Sequence, residues 1–427
     1  MIAVFGAKTT SLCRRRRRSL KEMLITGLLW MLMCVGVAGQ PRTALGPRRL
    51  SLQSASEGAC AVDGGGTGNR DGSPYNITRS SDFDLVPRNV THTHLVFSAN
   101  HRVEFDRGTL PEVLGVPQLM RLLMSVRYVP NRRLPAGLFV NLATLRSIQL
   151  YHDAPKSDRF SLRLSEGTFE GLYELVELQL ARLGIEDLPT GVFRGLRSIC
   201  RLDLSQNRLV AIRSDVFQPP PISTRSSLTQ NRCCRNLTVL SLGRNRFDDV
   251  ADIQLGGLAS LRSVDLHGNV IASLGRDSFG GSSESSSGGF ANIEQLNLGF
   301  NVIDHIEDGA FEPLARLRVL YLDGNMISNI TAGAFVGLRV VQMDLGRNSM
   351  SELRSGVFAP LASLRTLLLA ENAIKKVQRG KLMAKLLLLC LLMTTTLCLK
   401  KVPTFELSVI LSNLKPIFKI FALLESV

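Results

Sequence analysis

The chain has 427 residues, 45% of them hydrophobic and 20% charged, with 36 Gly and 17 Pro. That composition excludes a disordered tail, a collagen and a polytopic membrane protein, and it obliges the chain to bury a core. The formal net charge of +15 sits at the ends: residues 1–50 carry ten basic side chains against one acid, residues 375–427 nine against two, and the body between them sums to −1. A basic groove for nucleic acid is therefore not expected, because counterion release needs cations clustered on the binding face itself.

At the N-terminus, Arg14 to Arg18 and Lys21 precede the apolar run Leu24 to Ala38, which ends in the small residues Gly36, Val37, Ala38 and Gly39. The run is shorter than the ~20 residues of a membrane span, so residues 1–39 are predicted to be a signal peptide, starting at Met1 or at Met23. An uncleaved signal anchor and, for the Arg run alone, a nuclear address are the alternatives. Residues 40–81 are expected to be a disordered or linker segment, in which Gly64-Gly65-Gly66-Thr67-Gly68 lacks the Lys-Ser/Thr of a phosphate loop. Asn76, Asn89, Asn236 and Asn329 each begin an Asn-x-Thr acceptor, and together they favour export and glycosylation.

Residues 82–144 read as an amino-terminal cap with degenerate repeats, a weak one starting at Leu119. From 145 to 377 the template L-x-x-L-x-L-x-x-N-x-L recurs. Its clearest copies are Leu261/Val264/Leu266/Asn269/Ile271, Ile293/Leu296/Leu298/Asn301/Ile303 and Leu317/Leu320/Leu322/Asn325/Ile327. Repeat starts from Leu145 are separated by 30, 24, 38, 24, 32, 24, 23 and 24 residues, a unit of about 24 interrupted by insertions. One insertion holds Pro219, Pro220 and Pro221; another is the Gly-Ser run Gly280 to Gly289, which cannot pack.

The alternating L-x-L is a short strand with its leucines inward and its x positions outward. Such strands stack in parallel. Seven asparagines, Asn207, Asn245, Asn269, Asn301, Asn325, Asn348 and Asn372, fall where the chain leaves the strand, where each amide can donate to and accept from backbone groups of adjacent coils. The pairs Phe193/Leu196, Phe311/Leu314, Phe335/Leu338 and Phe358/Leu361 close the coils. The predicted fold is an α/β leucine-rich-repeat solenoid, a horseshoe with parallel strands on its concave face, in which each unit buries apolar surface only against its neighbours.

These motifs resemble the extracellular leucine-rich-repeat family, and the Phe-x-x-Leu units look like those of animal receptors. Asp82 to Asn100 and Leu180 to Gly257 are similar to the amino-terminal ectodomain of invertebrate Toll receptors, a resemblance covering roughly residues 80 to 377. It implies a truncated, ligand-binding ectodomain of a Toll-like cell-surface receptor in innate immunity or development, lacking its signalling domain. A secreted leucine-rich-repeat binding or matrix protein without signalling is the alternative. The partner would be a protein or microbial ligand, with a homo- or heterodimer open; the setting is the secretory pathway, then the cell surface or the extracellular space.

Any binding site lies on the outward positions of the strands, where Arg244, His267, Phe300, Tyr321, Asp323 and Arg347 could form a hot spot, since aromatic and Arg side chains dominate interface energy. The competing reading is a solvated sheet face. Cys200 is expected to pair with Cys233 or Cys234, or to stay free and buried. His92-Thr93-His94 with His101 offers a metal set without neighbouring carboxylates, and exposed strand residues are the commoner reading. No Gly-x-Ser-x-Gly, His-Glu-x-x-His or paired-Cys zinc pattern occurs, so neither an enzyme nor a cofactor is expected.

In residues 378–427 the body's Arg-rich usage gives way to Lys, Leu, Ile and Thr. Leu386 to Leu399 is an uncharged run flanked by Lys385, Lys400 and Lys401. Two readings stand for this tail: a membrane anchor, or the artefact of a truncated gene model.

Overall fold

A computed structural model describes residues 75–77, 91–97, 118–140, 142–152, 160–217, 233–280, 289–354 and 356–377. The expected signal peptide, the tail after 377, Asn89, His101 and the Pro219–Pro221 insertion lie outside them.

The strands in chain order are β1 (Tyr75–Ile77), β2 (His92–Phe97), β3 (Arg121–Ser125), β4 (Ser147–Tyr151), β5 (Glu177–Gln179), β6 (Arg201–Asp203), β7 (Val239–Ser241), β8 (Ser263–Asp265), β9 (Ser273–Leu274), β10 (Gln295–Asn297), β11 (His305–Ile306), β12 (Val319–Tyr321), β13 (Gln342–Asp344), β14 (Glu352–Leu353), β15 (Thr366–Leu368) and β16 (Lys376–Val377). Twelve of them form one sheet whose order follows the sequence from β1 to β15, while β9 pairs β11 and β14 pairs β16. Neighbours are parallel and in repeat register, Val264 facing Leu296 and Leu296 facing Leu320. Each repeat is therefore one coil of a solenoid, and the sheet runs along the stack. Among the described residues the helical part is slight: Ser214–Phe217 is one turn, with 3-10 turns at Pro130–Arg132 and Val250–Asp252.

One expectation is corrected. Tyr75–Ile77 falls in the stretch taken for linker, yet it pairs with Leu95–Phe97 as a strand of the sheet. Ordered structure starts earlier because a backbone ladder needs no repeat motif, only a neighbour with free donors and acceptors. The weak repeat at Leu119 also forms a full coil, with Leu119, Leu122 and Met124 buried.

The inward residues are dry: Leu240, Leu242, Leu296, Leu298, Leu320 and Leu322 are all at 0% exposure. Burying such a side chain stabilises by about 1.5–3 kcal/mol, and each is covered by its counterparts one coil before and after. On the other side of the coil the phenylalanines stack in two runs. Phe139, Phe169, Phe193 and Phe217 follow one another with ring centroids 5.6–6.2 Å apart, and Phe279, Phe311, Phe335 and Phe358 at 5.7–6.0 Å. Between the runs the coil after Asn245 has no phenylalanine in this place, and the 3-10 turn Val250–Asp252 with buried Leu255 and Leu258 fills the space.

Candidate ligand-binding face

The asparagines sit under the sheet, each between two coils. Asn325 Nδ2 donates to Leu322 O of its own coil and to Leu298 O of the preceding one, both at 3.0 Å, while its Oδ1 accepts from Ile303 N–H at 3.1 Å. Asn301, Asn348 and Asn372 repeat this set. Asn207, Asn245 and Asn269 do likewise toward Leu180, Leu204 and Leu242. Their role here is internal, which leaves recognition to the outer face.

To aim the asparagine inward, the residue before it turns left-handed in coil after coil. Gln206, Arg244, Phe300, Arg347 and Glu371 have φ between 55° and 58°, and Gly268 and Gly324 stand at 68° and 69°. In all of them but Glu371 the N–H donates across to the next coil, as Arg244 to His267 O at 2.6 Å, Phe300 to Asp323 O at 2.7 Å and Arg347 to Ala370 O at 2.7 Å. Left-handed backbone is natural for glycine and costs other residues about 1–2 kcal/mol. Phe300 bears that cost at 39% exposure.

The ring of Phe300 lies over Gly324 on the adjacent coil, where a Cβ would stand 2.8 Å from Cδ1. One coil further, the Arg347 guanidinium sits 6.0 Å from the ring centroid, at the reach of a cation–π contact, and its Nε meets Glu371 at 3.1 Å. Phe300, Arg347 and Glu371 thus form one chain of contacts across β10 to β15. Asp323 is accommodated in the same manner, since a Cβ on Gly299 would come 2.6 Å from its Oδ1.

His267 and Asp265 face each other, with Nδ1 2.8 Å from Oδ1 at side-chain exposures of 14% and 10%. The strand positions expected to be outward are therefore not all free. Asp203, Asp265, Asn297 and Asp344 each accept the N–H two residues on, of Ser205, His267, Gly299 and Gly346 at 2.8–3.1 Å. These are Asx turns that start the bend toward the asparagine, a local role that an Asp or Asn three residues before the left-handed position, in the pattern Asp/Asn-Leu-x, could have announced. Of the six residues named from sequence, Arg244, Phe300 and Arg347 are exposed and Tyr321, Asp323 and His267 half-buried.

Asp344 stands out electrostatically. Burial pushes its carboxyl up to about 6, with Asp323 adding to the shift and the Gly346 N–H and Arg347 opposing it. Because the folded value lies above the ordinary carboxylate value of 3.8, the native state holds the proton more tightly, and ionisation weakens the fold as pH rises through about 6. Asn297 makes the same turn two coils earlier without a charge. Asp344→Asn is accordingly expected to raise the thermal midpoint at pH 7.5, an advantage that shrinks on acidification and is gone below about pH 4, where both states of the wild type are protonated. Paired melts across that range check it.

The cysteine expectation is corrected. Cys233 and Cys234 are both free and buried, and Cys200 is disulfide-bonded, so neither is its partner. Cys233 Sγ instead donates to Phe217 O at 3.1 Å. Burial, with help from Cys233, pushes the Cys234 thiol well up, which keeps it unreactive. Of the histidines, His92 is half-buried on β2 and held below its ordinary value by burial and by Arg121. Among the described residues no group of three or more His, Cys, Asp or Glu is placed to hold a metal ion. Nor is any helix there long and apolar enough to cross a membrane.

A solenoid of parallel coils with an asparagine ladder is a leucine-rich-repeat architecture, and the family model for leucine rich repeats matches residues 283–327 and 317–374. Residues 283–374 thus match the leucine-rich-repeat family, and the described coils have the leucine-rich-repeat fold. No curated protein matches it by sequence. Among solved structures it is similar to TLR13 in its complex with ssRNA13 (18% identity over 71% of this chain and 38% of that one, TM-score 0.42). It is likewise similar to the Drosophila Toll–Spatzle complex (19%, 71%, 48%, 0.42) and to the leucine-rich repeat domain of APL1B (19%, 57%, 64%, 0.39). The chain spans less than two thirds of each of these.

Proposed function

We propose that this chain is the ligand-binding ectodomain of a Toll-like cell-surface receptor, glycosylated at Asn76, Asn89, Asn236 and Asn329 in the secretory pathway. A protein or microbial ligand would be met through the face around Arg244, His267, Phe300, Tyr321, Asp323 and Arg347. One observation carries the choice of face: a bulky aromatic is kept in a left-handed conformation at an exposed position where neighbouring coils use glycine. Stored backbone strain of about 1–3 kcal/mol at an exposed aromatic points to selection for contact rather than for stability. Asn236 and Asn329 are both exposed, on other parts of their coils.

The test has two arms. Expressed in animal cells, the full chain is expected on the surface or in the medium, with a mobility shift on glycosidase treatment that Asn236→Gln and Asn329→Gln reduce; a cytosolic, unshifted product contradicts the reading. A panel of secreted proteins and microbial wall fractions is then screened for binding. Phe300→Gly, which relieves the strain and leaves the melt unchanged or higher, is expected to abolish any specific binding found. Binding that survives it removes the face from the account.

A further inference from the structure

The neutral sum of the body hides a segregation of charge that the coils create. One residue ahead of each strand, a column runs along the side of the stack, each member accepting a backbone hydrogen bond from the next: Arg262, Glu294, Arg318, Val341, Arg365. Two residues before Arg318 and Val341 stand Arg316 and Arg339, so four arginines crowd the starts of three adjoining strands, β12, β13 and β15. Arg316, Arg318, Arg339 and Arg365 are all exposed. With strands about 4.8 Å apart, Arg318 and Arg365 are separated by roughly 10 Å along the stack. On this side Arg262 pairs with Glu294 at 3.7 Å. Arg316, Arg318 and Arg339 have no side-chain hydrogen bond or ion pair among the described residues.

The opposite side, after the asparagines, is built differently. There Arg208 meets Glu186 at 3.0 Å and Arg213 lies between Asp187 and Asp215, while Asp248, Asp249, Asp304 and Glu307 add further negative charge around the remaining arginines. Arg316, Arg318 and Arg339, unmatched and held along a rigid edge beside the further positive charge of Arg365, raise the local potential and favour a linear polyanion, whose condensed counterions are released on binding.

We propose that the strand-start edge formed by Arg316, Arg318, Arg339 and Arg365 binds a sulfated polysaccharide. Arginine offers bidentate hydrogen bonds that match sulfate geometry, and the group contains no aromatic side chain on which a nucleic acid base would stack. A sulfated glycan is also the polyanion that an exported, glycosylated chain meets. This edge is distinct from the outer face of the strands, so either assignment can fail without the other.

The experiment measures binding of the full chain to immobilised heparin at increasing salt, with chemically desulfated heparin and a single-stranded homopolymeric RNA as competitors. The triple variant Arg316→Ala, Arg318→Ala, Arg339→Ala is compared with a charge-matched control, Arg246→Ala, Arg276→Ala, Arg354→Ala, on the other side; circular dichroism melts confirm that both fold. The triple variant is expected to bind about tenfold more weakly with a shallower salt dependence. The control should stay within about twofold of wild type, and only sulfated heparin should compete. Equal losses in both variants would reduce the effect to net charge, including that of the basic ends, and overturn the proposal. Competition by the RNA as strong as that by heparin would assign the edge to nucleic acid instead, and unchanged binding of the triple variant would remove the edge altogether.

Discussion

Replacing Asn325 by alanine is expected to destabilise the protein by about 1–3 kcal/mol. The size follows from which bonds have substitutes. The Leu298 and Leu322 carbonyls that Asn325 reaches are shared, since Asn301 also donates to Leu298 O at 2.9 Å and Asn348 to Leu322 O at 2.9 Å. Those acceptors keep one partner each. Ile303 N–H has no such reserve, because Asn325 Oδ1 is its acceptor at 3.1 Å, and an orphaned buried donor carries its full desolvation penalty. Asn325→Asp sharpens the test. It retains an acceptor for Ile303 but turns a second oxygen, with a charge, toward two carbonyls inside a residue that is 7% exposed, so at neutral pH it should be worse than alanine. Urea melts of both variants against wild type measure the difference; an aspartate variant as stable as wild type would deny the ladder its donor role.

Phe335→Ala carries the other large effect, about 3–5 kcal/mol. Phe335 is at 0% exposure and stacks on Phe311 at 6.0 Å and Phe358 at 5.9 Å. Removing it opens a cavity against both neighbours at once, and in a stack stabilised by nearest-neighbour contacts the loss spreads to the coils on either side. Phe247→Ala removes a ring that is equally buried but lies outside the two stacked runs. It should cost the transfer and cavity energy without loosening two coils together. Thermal melts of the two variants separate these outcomes, a broader transition being expected for Phe335→Ala.

What could be read beforehand was the repeat itself. Leu296, Leu298 and Asn301 announce a strand, its inward face and its turn, because period-two alternation and a buried amide each have one structural solution here. The phenylalanine stack was legible at Phe193, Phe311, Phe335 and Phe358, whereas Phe139 and Phe169 lie in coils that lack the asparagine marking a unit, and Phe217 and Phe279 lack the leucine three residues on because insertions follow them. Tyr75–Ile77 could not be found by pattern, since it carries no repeat motif and is identified by its pairing with Leu95–Phe97. The site was half legible. Which outward residues exist follows from register, but that Gly324 makes room for the Phe300 ring depends on a contact between coils about 24 residues apart in sequence. The charged edge escaped for the same reason: Arg316, Arg339 and Arg365 are distant along the chain and cancel in the sum with acids that the fold carries to the other side.

Amide hydrogen exchange followed by mass spectrometry tests the stacked-coil account most directly. Slow exchange is predicted to recur with the repeat, at Gln295–Asn297, Val319–Tyr321 and Gln342–Asp344, with faster loops between, and Asn325→Ala should speed exchange in the coils on both sides of it. Long unbroken protected stretches spanning those loops, or a perturbation confined to the mutated coil, would contradict it.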